Sequence, residues 1–327
     1  MNERGGRFGT VVTAMVTPFD DSGKLDLDGA SRLAAHLAGH GSEALVVAGT
    51  TGECPVLTDA ERCDLWRAVS ESSPIPVIAG STTNDTAHSV ELTRAAEAAG
   101  VAGILAVTPY YNRPSQLGIA RHFTAVAEAT SLPVILYDIP IRAGRKIANE
   151  TMLRLAREVP NIVAVKDAAG DVGGTARVMW EAPAGFECYS GEDLLTLPLL
   201  SVGAVGVISV ASHWVGPEIA EMIERFLAGD VAGARRLNGD MLDFVAFQAS
   251  DEAPNPLPAK AVLRALGLPA GQCRLPHGAA PEGLDQRAEA VLSALGRWRA
   301  QQLDRADRAD QAAGSAWSAP APQEAHA

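Results

Sequence analysis

A single lysine, Lys166, closes the run Ile162-Val-Ala-Val-Lys166 and is followed by Asp167-Ala-Ala-Gly170. Runs of β-branched and small apolar residues of this kind form strands buried on both faces. An ammonium placed there is short of water, so desolvation favours the neutral amine. A neutral amine attacks a ketone or aldehyde carbon and forms a Schiff base. A lysine at a strand end can instead snorkel to water or pair with Asp167, and the segment alone leaves both readings open. Other reactive groups also follow apolar runs. Gly49-Thr-Thr-Gly-Glu53 sets two hydroxyls and several backbone amides between glycines. That is either a cradle for a carboxylate or a plain capped turn from strand to helix. Thr108-Pro-Tyr-Tyr-Asn-Arg-Pro114 places Tyr110 beside Tyr111 in a chain with only 4 tyrosines. Tyr137 ends a further run, with Arg142 next in the loop, and Ser190-Gly191 and Gly206-Val-Ile-Ser209 end two more. The inventory is an amine, phenols, hydroxyls and a guanidinium, with neither a metal-ligand cluster nor an obvious catalytic carboxylate pair. It suits Schiff-base chemistry on a small keto acid, with a phenol to move protons and donors to hold a carboxylate.

Such groups need a frame that gathers strand ends. Eight apolar runs, at 11–16, 44–48, 76–79, 103–107, 133–137, 162–165, 186–189 and 203–210, alternate with amphipathic stretches. Residues 27–37 carry apolar positions at helical spacing, and Thr58-Asp-Ala-Glu61 is a capping box that opens the next helix. Asn84-Asp-Thr86 opens another that stops at Gly100, and 114–130 and 149–159 continue the series. Strands that are apolar throughout, rather than alternating, indicate a parallel sheet covered on its outer face. The α/β class follows, and the rhythm predicts a (β/α)8 TIM barrel rather than an open doubly wound sheet. No G-x-G-x-x-G follows the first run, which weighs against a dinucleotide fold. Beyond about residue 215 the strand signal stops, and helices are expected from Gly216-Pro-Glu218, then over 230–247, 258–266 and 281–302. The expected organisation is a barrel carrying the site over 1–225, a C-terminal helical domain over 226–303 and a tail over 304–327. Asp304-Arg-Ala-Asp-Arg-Ala-Asp310 can prolong the last helix through charge pairing, whereas the Ala/Pro/Ser/Gln-rich residues 312–327 are expected to be disordered.

The totals narrow the function classes. A net charge of −12 argues against a nucleic-acid surface and against an anionic membrane, while local cations can still hold an anionic substrate. No stretch of about 18 apolar residues is present, so no membrane span is expected. The segment 1–8 lacks an apolar signal core, which leads to the expectation of a cytoplasmic protein. Cys54, Cys63, Cys188 and Cys273 form no C-x-x-C pair, so reduced thiols are the simple reading. His36 and His40 share a helical spacing but have no third ligand beside them, and a solvated helix face is expected rather than a metal site.

Five segments, in order, resemble one family. Gly49-Thr-Thr-Gly-Glu53, Thr108-Pro-Tyr-Tyr-Asn-Arg-Pro-Ser115, Tyr137 with Arg142, Val165-Lys-Asp-Ala168 and Asn255-Pro-Leu-Pro-Ala-Lys260 are similar to the dihydrodipicolinate (4-hydroxy-tetrahydrodipicolinate) synthases. These belong to the pyruvate-dependent class I aldolase superfamily, together with N-acetylneuraminate lyase. The likeness runs from about Gly9 to Arg299. It implies that Lys166 forms the imine with pyruvate and that Tyr137 is the general acid/base. Thr50 would link Tyr137 to Tyr111 in a hydroxyl relay, with Tyr111 reaching into a neighbouring subunit. Thr51 would hold the pyruvate carboxylate, Arg142 the carboxylate of L-aspartate-4-semialdehyde, and the backbone near Gly191 and Ile208 would complete the pocket. No cofactor or metal is implied, and the implied assembly is a homotetramer built as a dimer of dimers. The rival readings are another lysine-imine aldolase acting on a 2-keto-3-deoxy sugar acid, and an idle paralogue that only binds a keto acid.

Some positions depart from the family pattern. Ala143 follows Arg142 where a hydroxyl residue is common, Ala253 stands where a glutamate is common, and Cys54 stands where a serine is frequent. Cys54 is read as a small packing residue. Asn84 and Tyr110 match the lysine-effector site of feedback-sensitive members, whereas His88 replaces a glutamate, and Asp59 and Arg62 replace histidines. A histidine cannot pair with the effector's ammonium, so weak or absent lysine feedback is expected.

Overall fold

The computed structural model describes residues 5–316, with side chains as far as Asp304. Eight parallel strands close into a barrel in chain order: β1 (Val11–Ala14), β2 (Ala44–Val47), β3 (Val77–Gly80), β4 (Gly103–Val107), β5 (Val134–Asp138), β6 (Ile162–Asp167), β7 (Glu187–Ser190) and β8 (Gly206–Ser209). Closure is made by β1 against β8, with Val12 opposite Ile208. The strands lie where the apolar runs place them. β6 runs on through Lys166 and Asp167, beyond the expected 162–165.

Helices pack between the strands: α1 (Leu27–Ala38), α2 (Asp59–Ser72), α3 (Thr86–Ala98), α4 (Gln116–Glu128), the single turn α5 (Pro140–Ala143), α6 (Asn149–Glu158), α7 (Val172–Glu181), α8 (Thr196–Leu200) and α9 (Ser212–Leu227). Their starts are written in local chemistry. Asp26, Asp85, Ser115 and Asp171 each accept a backbone N–H of the first turn, and Thr58 with Glu61 forms the full capping box. α7 and α8 have no counterpart among the helices expected from sequence. α9 begins at Ser212, ahead of the expected Gly216, and is kinked where Val215 leaves helical geometry next to Pro217.

The chain continues through α10 (Val231–Ala246), α11 (Leu257–Ala265) and α12 (Leu284–Ala316). α10 and α12 join the barrel through α9: the Trp214 indole donates to the Phe244 carbonyl at 3.1 Å, and Arg299 donates to the Trp214 carbonyl at 3.0 Å and to Glu218. α12 extends through 304–316: the 304–310 stretch prolongs the helix as its pattern allows, and the helix runs on into the segment expected as a disordered tail from 312. Five alanines and two arginines in that stretch favour helix, against three aspartates, a serine and a glycine. Residues 317–327 of that expected tail lie outside the described residues. Among the described residues no helix is long and apolar enough to cross a membrane.

Strand periodicity sorts the side chains into two cores. Val12, Ala14, Ala44, Val46, Ile78, Leu105, Ile135, Ala164, Tyr189 and Ile208 fill the barrel interior. The alternate residues pack outward under the helices. Parity then decides the site. Ile135 points inward, so Tyr137 does; Ala164 points inward, so Lys166 does. Asp138 and Asp167 fall on the outer face. The interior is packed below the site, with Phe8 against the tip of Tyr189, whose hydroxyl accepts the Phe8 N–H at 3.1 Å.

Candidate active site

Lys166 sits near the C-terminal end of β6, in register between Tyr137 of β5 and Tyr189 of β7. It is only 4% exposed, and its Nζ lies 4.4 Å from the centre of the Tyr137 ring. The two alternatives left open by its sequence are not formed. Burial keeps the amine from snorkelling, and Asp167 turns to the other face of the sheet, where it accepts from the Ala169 N–H at 2.9 Å and from the Thr175 hydroxyl. Burial pulls the Lys166 amine down to about 8, the carboxylates of Asp193 and Glu192 oppose that fall, and Arg142 adds to it. A side chain at position 191 would press on this lysine: a Cβ built there lies 3.0 Å from Lys166 Cγ and 2.9 Å from Ala168 Cβ. Gly191 thus leaves the amine its room.

Tyr137 is buried beside the amine, and burial pushes its phenol up to about 12, against the pull of the Arg142 charge and of the neighbouring Thr50 hydroxyl. It is a protonated donor across the physiological range. Thr50 and Thr51 lie on the loop after β2. That loop is folded tightly, with Ala48 at φ 55° and Glu53 at φ 56° in the left-handed region. It also needs Gly80 beneath it, since a Cβ there would lie 2.4 Å from the Ala48 carbonyl oxygen. Thr51 is buried, and its hydroxyl accepts from Asn255 Nδ2 at 3.0 Å. Arg142, on α5, is exposed at the mouth, and its charge acts on both Lys166 and Tyr137. Ile208 belongs to the interior wall of β8.

The structure therefore brings Lys166, Tyr137, Thr50, Arg142 and Gly191 together, with Thr51 on the same loop as Thr50 and Ile208 on the wall of the barrel. Tyr111 is the exception: it stands at φ 71° on the rim, 89% exposed, turned to solvent rather than folded onto Tyr137. The structure adds two carboxylates that the sequence pattern does not mark, without making them a catalytic pair. Glu192 and Asp193, directly after Gly191, lie within electrostatic reach of the amine. Asp193 is buried and accepts from the Ser209 hydroxyl and from the Val210 N–H at 2.9 Å, and Glu192 accepts from Gln248 at 3.1 Å. Burial raises both carboxyls above their ordinary range. Asp193 is buried and Glu192 half-buried. Cys54 is held above the ordinary thiol range by burial, in keeping with a packing role, and all four cysteines are free. No cluster of three or more His, Cys, Asp or Glu suited to a metal occurs among the described residues.

The amine attacks only when neutral. Protonation therefore silences it below about 8, and the rate of imine formation with a keto acid should climb as pH rises toward 8 and level off above it. Borohydride trapping rates measured between about pH 6 and about pH 10, the span in which a desolvated lysine titrates, check this. A flat profile would contradict the geometry.

Comparison with known proteins places these residues in a wider setting. Residues 7–295 match the model of the dihydrodipicolinate synthetase family. The 4-hydroxy-tetrahydrodipicolinate synthase of Moorella thermoacetica is 51% identical over 292 residues, covering 89% of this chain and 99% of the relative. That of Bacillus subtilis is 46% identical over 271 residues, covering 82% of this chain and 93% of the relative. Among solved structures, the lysine-bound dihydrodipicolinate synthase of Cyanidioschyzon merolae superposes with a TM-score of 0.85 at 45% identity, covering 89% of this chain and 99% of that one. A Bacillus anthracis dihydrodipicolinate synthase superposes with a TM-score of 0.84 at 42% identity, covering 88% of this chain and 98% of that one.

Proposed function

The chain belongs to the dihydrodipicolinate synthetase family, and we propose that it condenses pyruvate with L-aspartate-4-semialdehyde through an imine on Lys166, as a step of lysine and diaminopimelate biosynthesis. The observation that carries the mechanism is the buried Lys166 amine, depressed to about 8 and set against the Tyr137 phenol.

The steps follow from the groups present. The neutral Lys166 amine adds to C2 of pyruvate, and the carbinolamine loses water with Tyr137 as the proton donor, giving the imine. The methyl carbon then gives up a proton, and its electron pair flows toward the protonated imine nitrogen to make an enamine. Thr50, whose hydroxyl acts on the Tyr137 phenol, carries protons to and from this centre. Thr51 holds the pyruvate carboxylate. Arg142 at the mouth binds the carboxylate of the semialdehyde in bidentate fashion. The enamine carbon attacks the aldehyde, which takes up a proton as the new carbon–carbon bond forms. The substrate's own amine finally adds to C2 and expels Lys166, which is freed for the next cycle. Lysine itself serves as the electron sink, so the scheme calls on no cofactor.

Tyr111 completes the relay from a neighbouring subunit in this reading. Its left-handed backbone and almost full exposure suit a side chain offered to another molecule. We take the assembly as a homotetramer, a dimer of dimers, working in the cytoplasm. The barrel over 1–225 carries the chemistry, and the helical segment 226–303 buttresses it.

Sodium borohydride with pyruvate, followed by intact and peptide mass spectrometry with and without the semialdehyde, tests the assignment. Reductive trapping on the Lys166 peptide that the semialdehyde diminishes is the expected result. Trapping indifferent to the semialdehyde moves the assignment to a sugar-acid aldolase. No trapping points to an idle paralogue.

L-lysine should not inhibit at sub-millimolar concentration. His88 is paired with Asp59 at 2.9 Å, so that carboxylate is already engaged, and the Arg62 guanidinium is buried nearby with its Nε and one terminal nitrogen unpartnered among the described residues. A cation there repels an incoming ammonium. Initial rates against lysine concentration decide the point, and half-inhibition below roughly 1 mM would contradict it.

A further inference from the structure

The loop that carries Thr50 and Thr51 is gripped from outside the barrel. Glu53 closes that loop, and its carboxylate lies 2.6 Å from the Lys260 ammonium of α11, with both side chains 1% exposed. The second Glu53 oxygen accepts the Arg274 N–H at 2.9 Å. Lys260 donates to the Gln272 carbonyl at 3.1 Å and rests 4.2 Å from the centre of the Phe19 ring. Arg274 continues the clamp to the Val56 carbonyl at 3.0 Å and to Glu61 at 2.9 Å. Taking an ion pair out of water is expensive, and an apolar pair of like volume serves stability as well or better. A charged pair at this seam therefore calls for a reason other than stability.

Asn255 supplies it. It stands on the turn that leads into α11, five positions before Lys260, and donates Nδ2 to Thr51 Oγ1 at 3.0 Å. A hydroxyl that accepts from an amide keeps its own proton for another acceptor. With a donor on one side, Thr51 is set to donate on the other. We infer that Asn255, held in place by the buried Lys260–Glu53 pair, is a positioning residue that orients the Thr51 hydroxyl as a donor to the keto-acid carboxylate. The C-terminal segment is then part of substrate recognition as well as packing. This rests on the reading of Lys166 as the imine-forming amine.

The test compares two ketones in the borohydride assay: pyruvate, which has a carboxylate, and hydroxyacetone, which has none. Wild-type trapping on Lys166 is the control that checks the underlying reading by itself. Asn255→Asp turns the donor into an acceptor, makes Thr51 donate to it, and sets a negative charge beside the carboxylate site. It should slow pyruvate trapping by at least about tenfold while leaving hydroxyacetone trapping within about twofold of wild type. In steady state, KM for pyruvate rises and KM for the second substrate stays put. Asn255→Ala, which removes the orienting bond without adding charge, should show the same selectivity at smaller size and serves if the aspartate variant fails to fold. The double variant Glu53→Gln/Lys260→Met, which loosens the clamp without leaving a lone charge, should follow Asn255→Ala. Equal slowing of both ketones by a folded Asn255 variant, or wild-type pyruvate trapping in it, would overturn the inference.

Discussion

Lys166→Met should yield a protein that is inert and harder to unfold. Methionine matches the lysine stem in length and carries no amine. Borohydride trapping should vanish and turnover fall by at least about 10⁴-fold, as expected when a covalent nucleophile is deleted. The stability change comes from the same burial. The amine falls from 10.5 to about 8 in the folded protein, net of its attraction to Asp193 and Glu192. Every tenfold loss of proton affinity corresponds to about 1.4 kcal/mol, so the buried ammonium costs on the order of 3 kcal/mol at neutral pH. The direction of the fall fixes the sign. Below about 8 the group is charged in both states and the full penalty applies. Between about 8 and 10.5 the unfolded chain holds the proton and the folded one does not, so stability rises with pH and the penalty fades. Lys166→Met should therefore raise Tm by roughly 5 °C near pH 7, and by less near pH 10. Paired thermal melts at the two pH values measure this. A variant that melts at or below wild type at neutral pH would show that the amine is not desolvated as the structure has it.

Arg142→Ala separates the two substrates. The guanidinium is exposed at the mouth and acts on the interior only through its field. Removing it should leave pyruvate trapping on Lys166 in place. It should cut kcat/KM for the semialdehyde by roughly 10²–10³-fold, the scale of a lost bidentate ion pair to a carboxylate. A second readout comes with it. Arg142 lowers both the Lys166 amine and the Tyr137 phenol, so its removal lets both rise, and the pH at which trapping levels off should move upward. Loss of semialdehyde use with an unmoved pH profile would place Arg142 farther from the amine than the fold indicates. Retained semialdehyde use would remove it from substrate binding and reopen the sugar-acid alternative.

Much of this molecule is written in local pattern. The apolar runs and the caps at Thr58 and Asp85 mark the barrel's elements before any contact is known, because strand burial and helix capping depend on neighbours in sequence. The reactive types at the strand ends are equally visible, and family resemblance carries their roles. Other features depend on juxtaposition. Lys166 and Asp167 are adjacent in sequence, yet one enters the barrel and the other faces the helices, and only the register against β5 settles which. Nothing local marks Glu192 and Asp193, which meet Ser209 of β8 and Gln248 only in the folded chain.

Asn255 and Thr51 are 204 residues apart, and nothing in either segment announces the hydrogen bond between them. Tyr111 lies in a recognisable motif, but its exposure on the rim is a property of the folded loop. The chemistry on offer could be read from the chain alone, since side-chain type and periodicity are local quantities. Which groups lose their water, and which donors meet which acceptors, waited on the closed barrel. Desolvation and hydrogen-bond geometry depend on distances through space, and those distances are set when β1 meets β8.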